Sequence, residues 1–268
     1  MQNGYVGDLG DFGKYGLLRA LCLPDADGDK GLSLGVVWYL VPDEEKGNDG
    51  TYIDYLEEDA GQNGARLRRC DPSLYDALRR IVHSEQRGVL SVRTGGVLPV
   101  GTVSFEEPLT FDGMPHIGPA AREARLKHRG EWLQRALEAT AGCDVIFVDP
   151  DNGLEVKTQR HAKRGPKHVF FDELVPYLRR GQSLIIYHHM ARNRPAPEQI
   201  QERLAQIEER LTGCDTPFAL RYHRGTSRAF FVVPTNAHRA ILLGRADRFV
   251  AGPWFEHEHF SLVHPKSR

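Results

Sequence analysis

The sequence has few cysteines, almost no net charge and no long apolar run. Its four cysteines (Cys22, Cys70, Cys143 and Cys214) are far apart and form no CxxC pair. This pattern argues against a zinc site or a disulfide framework and indicates reduced thiols. The formal net charge of −1 provides no overall field that would attract nucleic acid, so any such attraction must come from local patches. No stretch approaches the roughly 18 apolar residues that a membrane span needs.

The N-terminal stretch MQNGYVGDLGDFGKYG is polar and lacks the apolar segment of a secretory signal peptide. Together with the scattered cysteines, it predicts a cytoplasmic protein with no membrane partner. Hydrophobic residues make up 40% of the 268-residue chain and charged residues 26%, which is ordinary for a soluble globular protein that buries a sizeable core. The sequence does not indicate an oligomeric state.

Apolar runs alternate with segments of helical period along the chain. Near-continuous apolar runs predict buried strands at 32–41, 144–150 and 183–189, and a further run at 228–235 predicts an antiparallel partner. Helices are predicted at 119–142, 169–182 and 196–213. The alternation predicts a single α/β domain over residues 1–268, Rossmann-like, with a mostly parallel sheet and helices on both faces. Residues 42–118 are predicted to form a helical or irregular subdomain inserted after the first strand.

A glycine-rich helix is predicted near the N-terminus, in GDLGDFGKYGLLRAL (7–21). Gly13 and Gly16 fall inside it, and each destabilises a helix by roughly 1 kcal/mol relative to alanine. Their presence indicates close approach of another group, either a neighbouring element or a ligand. Lys14 and Tyr15 lie between the two glycines and are placed to reach a site.

An acidic turn, DPDNG (149–153, the DPDNG loop), ends the strand predicted at 144–150. Asp-Pro and Asn-Gly are strong turn formers, so the loop can be turn chemistry alone. However, Asp149, Asp151 and Glu155 fall within seven residues, and clustered carboxylates repel unless a cation or a hydrogen-bond donor offsets them. The carboxyl end of a strand in an open α/β sheet is also where ligands bind, which favours a site.

Two chemistries fit this loop. In the first, Asp149 accepts a hydrogen bond from an exocyclic amine, while Pro150 and the Asp151 carbonyl shape the pocket. In the second, Asp149, Asp151 and Glu155 hold Mg²⁺ or Mn²⁺ and activate water in a nuclease or phosphodiesterase. A catalytically inactive nucleic-acid-binding module is a third possibility.

A basic segment, KTQRHAKRGPKH (157–168), follows the loop and contains no acidic residue. Lys157, Arg160, Lys163 and Arg164 are predicted to contact phosphates of a nucleic acid. The alternative is a solvated loop without a ligand.

Three arginines of the helix predicted at 119–142 share one face. Arg122, Arg125 and Arg129 lie there with Trp132, because residues three and four apart are neighbours on a helix. The spacing is equally compatible with a phosphate clamp and with an ion-paired edge.

These motifs follow one another in a defined order along the chain. Gly7-Asp8, Asp11 and Lys14-Tyr15 lead into a helix, and a DPDN sequence follows a central strand. Over about two thirds of the chain this order resembles the ribosomal RNA adenine amino-methyltransferases of the RlmJ type. That family has a G-(D/N)-x-x-D-x-x-K-(aromatic or His) pattern, an inserted subdomain and a D-P-P-Y loop.

The resemblance implies a methyltransferase that uses S-adenosylmethionine and acts on an exocyclic amine of a nucleic acid. It implies a catalytic loop of Asp149, Pro150, Asp151 and Asn152, with Asp149 as the hydrogen-bond acceptor. It implies cofactor contacts from Lys14, Tyr15, Tyr39 and Asp149, and a substrate contact from Tyr5.

The sequence departs from the family in two places. Pro42 and Asp43 stand after the first strand, where the family has a glycine-rich turn that lets the backbone approach the cofactor. Asp151 and Asn152 stand where it has a proline and an aromatic residue that stacks on a flipped base.

Overall fold

The computed structural model of the chain describes most of the sequence. The described residues are 1–24, 28, 30–43, 50–84, 86–115, 117–156, 160–225, 227–256 and 258–266. The predicted phosphate contact Lys157 lies outside them.

A mixed seven-stranded sheet forms the centre of the molecule. The strands in chain order are β1 (Leu34–Val37), β2 (Val103–Phe105), β3 (Val145–Val148), β4 (Gly153–Leu154), β5 (His168–Val169), β6 (Ser183–His189), β7 (Phe218–Tyr222), β8 (Arg228–Val233) and β9 (Phe260–Val263). The main sheet has the order β2-β1-β3-β6-β8-β7-β9, and β4 pairs with β5 in a separate two-stranded sheet.

The first four strands of this order are parallel, whereas β8 runs antiparallel to both β6 and β7, and β9 is antiparallel to β7. Val36 lies beside Phe147, and Phe147 lies beside Ile185. The carboxyl ends of β1, β3 and β6 therefore meet at one edge of the sheet, which is where ligands bind in open α/β folds.

Helices cover both faces of the sheet. They are α1 (Leu9–Cys22), α2 (Gly61–Cys70), α3 (Pro72–Val82), α4 (Val89–Thr94), α5 (Pro119–Ala139), α6 (Phe171–Arg179), α7 (Ala196–Arg210) and α8 (Arg239–Ala251). Residues of α1, α2, α3, α4 and α8 pack on the face that includes Val145 and Phe147. Residues of α5, α6 and α7 pack on the face that includes Ile146 and Val148. Alternate strand residues thus enter opposite cores.

The predicted fold class is confirmed: the protein is α/β and Rossmann-like, with a sheet that is parallel in its central part. Each apolar run predicted as a strand contains one, and the run at 228–235 contains the antiparallel β8. Within the described residues, no helix is long and apolar enough to cross a membrane.

Residues 42–118, predicted as an insertion, contain α2, α3, α4 and β2. The helices of this stretch share the core of α1. In contrast, β2 pairs in parallel with β1, so the final part of the stretch belongs to the main sheet. Sequence alone did not separate the two parts, because β2 has only three residues.

Candidate functional site

A cavity of about 300 Å³ opens where β3 and β6 end, beside the first turns of α1. All four residues predicted as the catalytic loop, Asp149, Pro150, Asp151 and Asn152, line it. Lys14 and Tyr5, predicted from the N-terminal pattern, line it as well. The structure therefore brings together two motifs that are about 135 residues apart in the chain.

Lys14 joins the two motifs through a buried ionic cluster. Its Nζ lies 2.8 Å from Asp11 Oδ1 and 2.8 Å from Asp149 Oδ2. Asp11 also accepts a hydrogen bond of 2.8 Å from the Tyr15 hydroxyl. Asp149 is only 2% exposed, so its charge depends on these partners rather than on water. We call Asp11, Lys14 and Asp149 the Lys14 cluster.

The protonation of this cluster follows from burial and from the charges within it. Burial raises the pKa of Asp149 above its usual value, and the neighbouring Lys14 limits that rise. Burial alone would lower the pKa of Lys14, but Asp11 and Asp149 raise it above its ordinary value. The lysine therefore stays charged, and its charge favours the ionised form of Asp149.

Asp151 is held by a second set of donors. Its Oδ2 lies 2.9 Å from Lys167 Nζ and accepts a hydrogen bond of 3.3 Å from Gln2 Nε2. Burial favours a higher pKa for Asp151, but the Met1 ammonium and Lys167 outweigh it and lower the pKa below its usual range. The acidic loop is thus neutralised in large part by cations of the protein itself.

Met1 forms part of the cavity wall between β1 and β3. Its amino nitrogen donates to the carbonyl oxygens of Tyr39 at 3.2 Å and Asp149 at 3.1 Å. Its Sδ lies 3.6 Å from Lys14 Nζ.

The glycines of α1 are explained by packing. A Cβ at Gly13 would lie 2.6 Å from the Tyr222 ring, and a Cβ at Gly16 would overlap the Trp254 ring. Of the two predicted explanations, close approach of a neighbouring element is the one found. Gly10 is different, because the group against it is the guanidinium of Arg228, which also lines the cavity.

The start of α1 carries a second unusual carboxylate. Asp8 caps the helix by accepting a hydrogen bond of 2.8 Å from the Asp11 backbone N–H. Burial and the charge of Asp11 raise the pKa of Asp8 to about 6, although Arg228 opposes the rise. This end of the cavity therefore changes charge close to neutral pH.

Tyr15 and Tyr39, which were predicted to contact the cofactor, are not among the residues that line this cavity. The Tyr39 side chain is on the opposite face of the sheet, where its ring meets Trp132 and its hydroxyl donates to Glu173 at 3.4 Å. Its φ of 44° is in the left-handed region, and its backbone carbonyl is the part that reaches Met1. Tyr15 is buried behind the cavity, against Trp38. Tyr39 follows β1, which ends at Val37, so the strand pattern in the sequence did not fix the direction of its side chain.

The basic segment is divided between the cavity and the outer surface. Arg164 lines the cavity mouth, whereas Arg160 pairs with Asp172 and stacks on Phe170. Lys163 is exposed. Lys167, in the same segment but not among the predicted contacts, lines the cavity.

Of the arginines on α5, Arg129 is ion-paired, which fits the ion-paired alternative at that position. Arg129 makes a bidentate ion pair with Glu173 and donates to the carbonyls of Gly165 at 2.9 Å and His168 at 2.6 Å. Arg125 donates to the His161 carbonyl at 2.9 Å. Both arginines thereby bind backbone carbonyls of the basic segment.

The three acids of the predicted metal alternative are not assembled around one point. Glu155 accepts hydrogen bonds from the Phe171 backbone at 3.1 Å and from Arg210 at 2.5 Å. Asp149 and Asp151 instead face Lys14 and Lys167. Among the described residues, no cluster of three or more His, Cys, Asp or Glu side chains is arranged to hold a metal ion.

Several cavity residues were missed by the sequence prediction. They are Asp8, Asp11, Tyr52, Arg192 and Arg228. Of the two adjacent histidines at the end of β6, His189 lines the cavity, and His188 accepts a hydrogen bond of 3.0 Å from the Leu154 backbone. The position of Asp11 in the N-terminal pattern was a usable signal, whereas nothing local to Arg192 or Arg228 distinguishes them.

Comparisons with known proteins do not assign the chain to a family. A scan of the chain against protein-family models finds no match, and a search of curated proteins finds none either. Any function must therefore rest on the geometry of the cavity.

Proposed function

We propose that the protein is a methyltransferase that uses S-adenosylmethionine and acts on an exocyclic amine. The observation that carries the proposal is the position of the Asp149 carboxylate. It lies at the end of the central strand β3, lines the cavity, and is paired at 2.8 Å with Lys14, whose charge favours its ionised form. A buried, charged acceptor of this kind suits a reaction in which an amine N–H must be oriented.

The lining residues fit the cofactor chemically. S-adenosylmethionine would supply an electrophilic methyl group on a positively charged sulfur. Asp11, Asp149 and Asp151 supply carboxylate oxygens that can accept hydrogen bonds from the amino groups of the cofactor, and the basic residues that line the cavity with them, among them Lys14 and Lys167, offset their charge. Tyr5 and Tyr187 add aromatic surface for an adenine ring.

Asp149 would act on the amine before and during methyl transfer. Its carboxylate would accept a hydrogen bond from the amine N–H and so fix the orientation of the amine. After the amine has gained the methyl group that the cofactor would supply, Asp149 would accept the proton that the nitrogen releases. Lys14 is a positioning residue in this scheme, because it fixes the carboxylate and its charge.

Calorimetric titration with S-adenosylmethionine tests the proposal. We expect saturable binding to the wild type and weaker binding to Asp149→Asn. With labelled cofactor and bulk RNA as acceptor, we expect methyl transfer to fall at least about 100-fold in this variant, in the range found for a positioned acid–base group. Glu155→Gln is the matched control, because Glu155 is a nearby acid outside the cavity lining.

Binding and transfer should be unchanged in that control. Absence of cofactor binding to a folded wild-type protein at millimolar concentration would overturn the proposal. Equal losses in Asp149→Asn and Glu155→Gln would show that the cavity is not the site.

A further inference from the structure

An exposed aromatic side chain stands at the mouth of the cavity. Tyr52 is 55% exposed and lines the cavity. Its backbone carbonyl accepts a hydrogen bond of 3.0 Å from the Leu9 N–H, at the start of α1. This hydrogen bond links the Tyr52 backbone to the helix end that carries Asp8 and Asp11, about 40 residues earlier in the chain.

Exposure alone does not make an aromatic residue a binding group. Phe255 is 63% exposed but is not part of the cavity lining. What distinguishes Tyr52 is its place beside a polar cavity that contains a buried hydrogen-bond acceptor, Asp149. Tyr52 and Asp149 line the same cavity, so a planar group bound there has an aromatic face and a hydrogen-bond acceptor available to it.

Two arginines supply positive charge at the same mouth. Arg164 comes from the basic segment and Arg192 from the segment after β6, and both are exposed and line the cavity. In the part of the chain that the structure describes, no carboxylate lies within 4.0 Å of either guanidinium, in contrast to Lys14 and Lys167. The carbonyl of Gly165, the residue after Arg164, accepts a hydrogen bond from Arg129.

We infer that the mouth of the cavity is a nucleotide subsite, in which an unstacked base lies against Tyr52 and a phosphate contacts Arg164 and Arg192. The inference rests on the proposed function and names its substrate class: the amine that reaches Asp149 belongs to a nucleobase. Every base has a π-face that can stack on a tyrosine ring. Arginine presents a planar set of donors that suits phosphate oxygens.

Fluorescence anisotropy with a labelled single-stranded 12-mer, as RNA and as DNA, tests the subsite without any methyl transfer. We expect Tyr52→Ala to raise Kd about tenfold, the scale of one base–aromatic stack. Tyr52→Phe should restore wild-type Kd, because it keeps the ring. Phe255→Ala is the matched control and should leave Kd unchanged.

The arginines have a separate signature. In the double variant Arg164→Gln/Arg192→Gln, the slope of log Kd against log salt should fall by about 0.7, because the two arginines neutralise one phosphate and each neutralised phosphate on a single strand contributes roughly 0.7. The control pair Arg66→Gln/Arg80→Gln changes exposed arginines of α2 and α3 and should leave the slope unchanged. Thermal melts of every variant identify any that fail to fold.

The outcomes separate this inference from the proposed function. Oligonucleotide binding that depends on Tyr52 without cofactor binding would keep the subsite and overturn the methyltransferase proposal. Cofactor binding without oligonucleotide binding would do the reverse. Oligonucleotide binding that is equal in wild type, Tyr52→Ala and the double variant would overturn the subsite. Competition by adenosine 5′-monophosphate would assign the subsite to a free nucleotide, and its absence to a strand; both keep the inference.

Discussion

Helices α1 and α5 lie on opposite faces of the sheet, and each carries one buried cationic side chain. The surroundings of these two side chains differ. Lys14 of α1 meets two carboxylates, Asp11 and Asp149. Arg129 of α5 meets one, Glu173, and its remaining donors are taken by the Gly165 and His168 carbonyls. The first cluster lines a cavity and the second is enclosed.

This difference distinguishes a candidate binding site, around Lys14, from a purely structural ion pair, around Arg129. Around Arg129 the charges balance one to one, and the donors hold a loop in place. Around Lys14 two carboxylates share one lysine, and Asp149 also lines space that a ligand can enter. An enclosed ion pair with satisfied donors needs no further partner, whereas a buried carboxylate that lines a cavity offers an acceptor to an N–H-bearing ligand.

The largest expected effect comes from breaking the enclosed cluster. Arg129→Met should lower the free energy of unfolding by about 3–5 kcal/mol, because it leaves Glu173 buried without its partner. Urea denaturation at pH 7 measures this. Arg122→Met, an exposed arginine on the same helix, should change the free energy by less than about 0.5 kcal/mol. A small effect at Arg129 would show that its cluster is not enclosed.

Breaking the cavity cluster should have a smaller effect that depends on pH. Lys14→Met should lower the free energy of unfolding at pH 7 by about 2–4 kcal/mol, since water in the cavity can partly solvate the acids that remain. Without the lysine, the pKa of Asp149 rises further above its unfolded value. The native state then binds more protons, so stability falls as pH rises, and the loss should shrink between pH 7 and pH 5.

Urea denaturation of Lys14→Met at both pH values, compared with the exposed Lys127→Met on α5, checks this. A loss that is the same at pH 5 and pH 7 would contradict the assigned role of the carboxylates.

Asp8 should give the wild type its own pH dependence. Its pKa of about 6, against an unfolded value near 3.8, means that the native state binds the extra proton. As pH rises from about 4 to 6, this group should remove up to about 3 kcal/mol of the free energy of unfolding. Asp8→Asn keeps a capping side chain and should flatten the profile in that window. The free energy of unfolding of both proteins, measured from pH 4 to pH 7, tests this prediction. If Asp8→Asn keeps the wild-type slope of this free energy against pH, the pH dependence does not come from Asp8.

The smallest effect compares a glycine in each of the two helices. Gly130→Ala on α5 should raise the free energy of unfolding by about 0.5–1 kcal/mol, because nothing lies within 4 Å of the new Cβ. Gly13→Ala on α1 should lower it by about 1 kcal/mol, because the Cβ would press on the Tyr222 ring. Thermal denaturation of both variants gives the signs, and equal signs would contradict the packing difference.

Much of the fold was predictable because its signals are local. The runs at 144–150 and 183–189 read as buried strands, since a strand covered on both faces needs apolar residues at every position. The helix at 119–142 was visible from its terminal proline and glycine. In contrast, β2 was too short to detect, and the inward face of α5 carries Arg125 and Arg129, which no hydrophobic pattern would reveal.

The candidate site was predictable in part. The DPDNG loop and Lys14 were found because unusual residues cluster in short stretches. Tyr39 was assigned to the cofactor, but its side chain points to the opposite core. Tyr52 and Arg192 were not found, because each stands alone in its segment and reaches the cavity only through the path of the chain.

The sequence by itself determined the order of strands and helices and the acidic loop at the end of β3, since both depend on residue type and period over a few positions. Only the tertiary structure decided which charges meet. Asp149 needs a cation because it is buried, and that cation comes from a helix about 135 residues earlier. Contacts between distant segments depend on how the sheet brings its edges together, and no local pattern encodes that distance.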